Sequence, residues 1–272
     1  MRNHPLHAPG GPGKNGAVAR GLRLLTWNLW GNGFPRPYVE ERGTSRGAVP
    51  GSPAGTNPDR GEVIRHRRAL MMGGLQSAGA DVIAIQEDDA GGYGRHSEWL
   101  AARLPGYEVI ATDSSLAYLV RRTLDISSAG SIELARQSYP PPLNLELMLG
   151  GLVVQVMNLH LSLVSAERQI VVAAAMKHVR DDIPVLLCGD LNDPSTEGVL
   201  TPLVAAGFVD AGASLGPTMP IESPAVRLDY IWLRASGSMN IVETGLVGGE
   251  PDAVGHYASD HLGVLVALDC LD

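Results

Sequence analysis

At 272 residues, with 44% hydrophobic and 18% charged residues, the chain has the composition of a folded globular protein with ample core material, which excludes disordered and fibrous classes. Its formal net charge of −8 argues against a generic nucleic-acid coat, whose affinity depends on clustered cations; its basic residues are nearly all Arg, with Lys14 and Lys177 the only lysines. The longest apolar run, 170–176, falls well short of the roughly 20 residues that a bilayer span needs, so no transmembrane segment is expected.

Residues 1–20 are rich in Gly, Pro and Asn and lack the apolar stretch of a secretory signal. They are expected to form a flexible tail, with a single domain over 21–272 and a cytoplasmic location by default. Cys188 and Cys270 have no metal-ligand spacing and form no disulfide framework. Residues 22–29 predict a first strand carrying Trp27 and Asn28 at its end, with Trp30 just beyond. The stretch at about 31–60 has no apolar period and holds Arg36, Arg42, Arg46 and Arg60 among many Gly and Pro. It predicts a long loop, either a lid over an anionic substrate or a plain insertion. Val63, Ile64, Leu70, Met71 and Leu75 predict a helix over 62–78, stopped by Gly79, with Arg65, His66, Arg67 and Arg68 on its solvated first turn or outer face and phosphate binding as the alternative role for the cluster. A buried strand over 81–86 then delivers Glu87. A helix over 97–104, stopped by Pro105 and Gly106, precedes strands at 107–111, 117–120 and 126–134.

The second half follows the same grammar without a detectable repeat. Strands at 144–148 and 152–161 pair across Gly150 and Gly151 and bring His160 to an end. Ser165 is placed to cap a helix running to about 181, with Glu167 in its first turn. A strand over 185–188 leads into Gly189, Asp190, Leu191 and Asn192. A short helix near 197–205 and strands at 228–233, 241–247 and 262–268 complete the chain.

Asn28, Glu87, His160, Asp190, Asn192, Asp229, Asp260 and His261 all fall at or near the ends of these strands, beside strongly apolar neighbours. Carboxylates driven toward a core rim in this way need a partner or a metal to offset desolvation. The donors are carboxylate and amide oxygens with no thiolate, which suits a hard cation such as Mg2+, with Mn2+ as the alternative. A phosphoester substrate fits such a site, because its transition state spreads negative charge over oxygens that a cation, imidazole or amide can stabilise.

Six segments occur in an order that resembles the endonuclease/exonuclease/phosphatase superfamily of DNase I-like enzymes. They are Leu24-Leu25-Thr26-Trp27-Asn28, Asp81-Val82-Ile83-Ala84-Ile85-Gln86-Glu87, Asn158-Leu159-His160-Leu161, Gly189-Asp190-Leu191-Asn192, Arg227-Leu228-Asp229-Tyr230-Ile231 and Ser259-Asp260-His261. The resemblance spans about 22–268. It implies a four-layer α/β sandwich, two mainly antiparallel sheets face to face with helices outside. It implies Glu87 as the main metal carboxylate, helped by Asn28 and, directly or through water, by Asp260. It implies His261 as general base or phosphate-contacting imidazole oriented by Asp229, Asp190 positioning the attacking water, and Asn192 with His160 on the phosphoryl oxygens. The choice between Asp190 and His261 as proton acceptor stays open, as does one metal or two.

Departures from the family's subgroups bear on substrate. Asp88 and Asp89 follow Glu87 where the DNase I branch places an Arg. Trp30 stands where abasic-site endonucleases carry an acid, and His160 where they carry a Tyr. With two Phe and four dispersed Trp, no aromatic membrane-touching hairpin of the secreted sphingomyelinase kind is evident. The leading expectation is a hydrolase of a small or lipid-like phosphomonoester or phosphodiester. The alternatives are a sequence-tolerant nuclease, which the charge does not favour, and a binding protein of the same fold without catalysis.

Overall fold

The computed structural model describes residues 21–33, 60–134, 140–194, 198, 200–235 and 237–271. The expected tail at 1–20 and the body of the expected loop, with any lid role for it, lie outside the described residues. In chain order the elements are β1 (Gly21–Asn28), α1 (Arg60–Ala78), β2 (Val82–Gln86), α2 (His96–Ala101), β3 (Tyr107–Ala111), β4 (Ala117–Arg121), β5 (Asp125–Ser131), β6 (Leu143–Leu149) and β7 (Leu152–His160). There follow α3 (Ser165–Met176), β8 (Val185–Asp190), α4 (Thr201–Ala205), β9 (Val209–Asp210), β10 (Asp229–Arg234), β11 (Met239–Val247) and β12 (Gly263–Cys270).

The strands form two six-stranded sheets, ordered β11-β12-β1-β2-β4-β3 and β5-β6-β7-β8-β10-β9. Each is antiparallel except for one parallel pair, β1 with β2 and β7 with β8. Parallel neighbours need a crossover, and α1 and α3 occupy those two connections. Side-chain alternation then sorts the apolar residues into three cores. Leu22, Leu24, Val82, Ala84, Val156, Leu186, Ile231 and Val266 meet between the sheets. Leu25, Trp27, Ile83 and Ile85 face outward to Met71 and Leu75 of α1. Met157, Leu159, Val185 and Leu187 face outward to Val171, Val172 and Ala175 of α3. The result is the expected four-layer sandwich of helix, sheet, sheet and helix.

Several boundaries differ from the sequence reading for identifiable reasons. The helix expected to run to about 181 ends at Met176, because the buried side chain of Gln155 takes up the chain beyond it. Its Nε2 donates to His178 O (2.9 Å) and its Oε1 accepts the Arg180 N–H (3.0 Å). Ser165 is the first helical residue rather than a cap. The residue before it, Val164, is the N-cap and offers no side-chain cap; Ser162 instead braces the approach to the helix, accepting the Val164 N–H (2.9 Å) and donating to Glu167 Oε2 (2.6 Å). Arg67 and Arg68, expected on a solvated face, are buried under the first sheet's rim. Cys188 and Cys270 are both free. No helix among the described residues is long and apolar enough to cross a membrane.

Candidate active site

The positions that line the inter-sheet core turn polar at one end of the sandwich. In β1 the residues of the same parity run Leu22, Leu24, Thr26, Asn28; in β8 they run Leu186, Cys188, Asp190. Register carries the pattern across the sheets, with Asn28 beside Gln86, His160 beside Asp190, and Asp190 opposite Asp229. The C-terminal ends of both parallel pairs therefore converge with the N-terminal end of β10 and the segment before β12. That is where open α/β sheets place their ligands. All eight residues named from the sequence lie at this end.

Beneath it, a polar layer joins the sheets. Gln86 Nε2 donates to Thr26 Oγ1 (3.0 Å) and Asn158 Oδ1 (2.6 Å), while Asn158 Nδ2 donates to Ile85 O (2.9 Å) and Ala117 O (3.1 Å). Neither Gln86 nor Asn158 was singled out from sequence. Their signal was a polar residue at a core-facing position one or two places before Glu87 and His160.

Three donors gather around one oxygen, Asp190 Oδ2. Asn28 Nδ2 donates to it at 2.9 Å, His160 Nε2 lies 3.6 Å away and His261 Nε2 3.9 Å away. Asn28 Nδ2 also reaches Glu87 Oε1 (3.1 Å), and its Oδ1 accepts the Trp30 N–H (2.8 Å), so the atom it turns to the carboxylates is a donor. The other oxygen of Asp190 accepts the Asn192 N–H (3.0 Å), and Asn192 Nδ2 donates to Leu161 O (2.8 Å). His261 Nδ1 pairs with Asp229 Oδ2 at 2.9 Å. Ser259 donates to Asn28 O (2.6 Å) and accepts the His261 N–H (3.2 Å), tying the last motif to the first. Trp30, Glu87 and Asn192 adopt positive φ of 55, 52 and 48°. Such strained residues cost roughly 1–3 kcal/mol each and cluster where function requires a particular side-chain direction.

Burial pushes the Asp190 carboxyl up to about 6, with Asp229 adding to the rise against His261 and His160. Asp260 is also pushed up to about 6 by burial, with His261 and Arg67 opposing and Glu87 reinforcing. At His261 burial disfavours the charged ring, yet the charge and hydrogen bond of Asp229, with Asp190 and Asp260, push it up to about 10. Asp229 Oδ1 is buried with no hydrogen-bond partner among the described residues. The crowding of Glu87, Asp190, Asp229 and Asp260 at one rim, with Asp229 adding to the cost of charging Asp190 and Glu87 to that of Asp260, fits a divalent cation among oxygen donors.

The surrounding loops are held by Arg67 and Arg68, which the sequence reading had placed in solvent, and by His96 and Asp88, on whose burial it was silent. The Arg67 guanidinium donates to the carbonyls of Leu29, Gly31 (3.2 Å), Gly33 (3.0 Å) and Ala258 (2.9 Å). Arg68 donates to the carbonyls of Tyr93, Gly94 and Arg95. Burial and the nearby Arg67 push the His96 imidazole down to about 3, so the neutral ring donates from Nε2 to Gly31 O (2.7 Å). Asp88 is buried and structural, bonded to Arg95 Nε, Ser97 N and Ser97 Oγ at 2.6 Å each.

The model of the endonuclease/exonuclease/phosphatase family matches residues 25–261. No curated protein matches the chain. Among solved structures, a humanized TDP2 from D. rerio is similar with a TM-score of 0.68 and 19% identity, covering 92% of this chain and 100% of that one. The mannosyl-6-phosphatase of Bacteroides thetaiotaomicron gives a TM-score of 0.65 and 17% identity, covering 92% of this chain and 100% of that one. The human Nocturnin catalytic domain with bound sulfate gives 0.64 and 17%, covering 94% and 96%. At these identities the structural likeness is one of fold. With the family model spanning most of its length, the chain belongs to the endonuclease/exonuclease/phosphatase family.

Proposed function

We propose that the chain is a Mg2+-dependent hydrolase of a small or lipid-like phosphomonoester or phosphodiester. Hydrolysis of phosphoric esters with the help of a divalent metal is general to its family. The convergence of Asn28, His160 and His261 on one oxygen of Asp190, beside Glu87, is the observation that carries the reading to these residues.

Glu87 and Asp260 would hold the cation, whose chemistry when bound is to neutralise charge developing on a phosphoryl oxygen. Asn28 enters as the amide that orients Glu87 and Asp190. Asp190, with one oxygen fixed by the Asn192 N–H and the other by Asn28, positions the attacking water. Asp229 fixes the ring of His261, which faces Asp190 across 3.9 Å, so proton transfer from the water falls to this pair. His160 and Asn192 complete the rim as contacts for phosphoryl oxygens. Mn2+ would be accepted by the same oxygen donors. Free thiols at Cys188 and Cys270 support a reducing, cytoplasmic setting.

A small substrate is favoured over a nucleic acid by the net charge of −8. The nuclease reading draws support from similarity to D. rerio TDP2, one of whose structures is complexed with a single-strand DNA product. A panel with Mg2+ and Mn2+ separates them: bis-p-nitrophenyl phosphate, p-nitrophenyl phosphate, small phosphate esters, plasmid DNA and single-stranded RNA. The proposal expects turnover of the esters and little of the polymers. Preferential cleavage of DNA or RNA would replace it with the nuclease, and no cleavage of anything would favour a non-catalytic binding protein.

A further inference from the structure

Outside the active site, one group of side chains has the chemistry of a second, different metal centre. His66 on α1 places Nε2 2.7 Å from Asp252 Oδ2, and His256 places Nδ1 3.1 Å from the same oxygen. Donor atoms of the three residues all lie within 4.8 Å of one another. The two rings meet edge to face with centroids 5.3 Å apart. We propose that His66, Asp252 and His256 form a site for Zn2+ or a similar borderline divalent ion, with water completing its coordination.

The donor set argues for this class of ion. Two imidazoles and one carboxylate suit Zn2+, whereas the oxygen-rich active site suits Mg2+. Tetrahedral ligands at Zn–N and Zn–O distances of 2.0–2.1 Å stand about 3.3 Å from one another. The two imidazole–carboxylate separations of 2.7 and 3.1 Å would open by about 0.2 to 0.6 Å to admit the ion, and the imidazole donors, within 4.8 Å of each other, would settle to a similar spacing. The carboxylate is already aimed. Its other oxygen, Oδ1, accepts the N–H groups of Val254 (2.9 Å) and His256 (2.8 Å), which fixes the direction of Oδ2. Outer hydrogen bonds of this kind orient metal ligands. Side-chain exposures of 37% for His66, 16% for Asp252 and 12% for His256 leave a path for the ion while keeping the ligands partly desolvated.

The placement gives such an ion a consequence. His66 precedes Arg67, which holds the carbonyls of Leu29, Gly31, Gly33 and Ala258. His256 lies just before Ser259, Asp260 and His261. A metal joining these ligands would clamp α1 to the segment that carries the last active-site motif. It would therefore stabilise the rim of the active site without touching the reacting atoms.

Zn2+ is titrated calorimetrically into the full chain after EDTA treatment and dialysis, for the parent, His66→Ala and Glu87→Gln. Thermal melts with and without Zn2+ and Co2+ visible spectra accompany the titrations. The parent and Glu87→Gln should share a Zn2+ site that His66→Ala weakens at least tenfold. Zn2+ should raise the melting temperature of the first two by several degrees and of His66→Ala by much less. Co2+ in this site should show the visible bands of tetrahedral coordination. If His66→Ala does not fold, His66→Gln replaces it, since Gln supplies no imidazole. Equal Zn2+ affinity in the His66 variant and the parent overturns the proposal. So does Zn2+ binding that Glu87→Gln alone abolishes, because the ion would then sit in the active site and the three residues would be a hydrogen-bonded triad only.

Discussion

Replacing Asn158 with Leu tests whether the polar layer under the active site holds the two sheets in register. The residue is fully buried, and its side chain makes hydrogen bonds to Ile85 O, Ala117 O and Gln86 Nε2. Leu keeps the branched shape but neither donates nor accepts, so Ile85 O and Ala117 O each lose a hydrogen bond, and Gln86 Nε2 loses its bond to Asn158 while keeping Thr26 Oγ1 and Ala84 O. At roughly 1 kcal/mol for each, Asn158→Leu should cost about 3 kcal/mol. For a chain of this length that is a drop of roughly 6–12 °C in Tm. Gln86→Leu should cost less, about 1–2 kcal/mol, because it also removes Gln86 Oε1, already without a hydrogen-bond partner among the described residues. The double variant abolishes the shared bond from both sides, so its cost should fall short of the sum by about 1 kcal/mol or more. Urea unfolding of the four proteins measures this coupling. Additivity within about 0.3 kcal/mol would refute the claim that the two side chains act as one bridge.

Asp229→Asn should leave the fold intact but free the His261 ring, lowering kcat by on the order of 10²–10⁴; a near-parental kcat would remove this pair from the mechanism. Gly189→Ala should fail to yield folded protein, since a Cβ there would lie 1.8 Å from Leu159 O at a φ of 138°; soluble protein with a parental melting curve would contradict that packing. His96, held neutral with its ring pushed down to about 3, binds a proton more readily when the chain unfolds, so its contribution falls as pH drops from about 6.5 toward 3. Between pH 7.5 and 5 His96→Gln should therefore lose about 2 kcal/mol less stability than the parent in urea titrations, and identical pH slopes would exclude that burial.

Much of the site was legible because strands announce themselves by period. A strand whose core-facing positions are filled by Leu, Val and Ile, and whose last such position is Asn28 or Asp190, points that polar group at the core's rim whatever the rest of the fold does. The helices α1 and α3 were legible from their apolar spacing, but the parallel pairing of the strands they connect was not. What stayed hidden were contacts made across long sequence separations. Helical spacing put Arg67 outward, but its long side chain turns under the sheet to collect four carbonyls from two distant loops, a target no local pattern reveals. The end of α3 depended on Gln155 reaching 23 residues forward to His178. Asp88 entered the sequence reading only as a departure from a family subgroup, and its burial depends on the ion pair with Arg95 and the amide of Ser97, partners that no local pattern reveals. His66, Asp252 and His256 lie 186 residues apart at their first link, and only the fold brings them together.

The account rests above all on a metal held at Glu87 and used for phosphoester hydrolysis. The most direct measurement follows bis-p-nitrophenyl phosphate cleavage by EDTA-treated protein as Mg2+ is added back, in parallel with calorimetric Mg2+ binding, for the parent and Glu87→Gln. The parent should recover activity with a half-saturation that matches its binding isotherm. Glu87→Gln, having lost a charged hard-oxygen ligand, should bind Mg2+ far more weakly and stay inactive at concentrations that saturate the parent. Metal-independent cleavage by the parent, or undiminished Mg2+ binding by Glu87→Gln, would contradict the account.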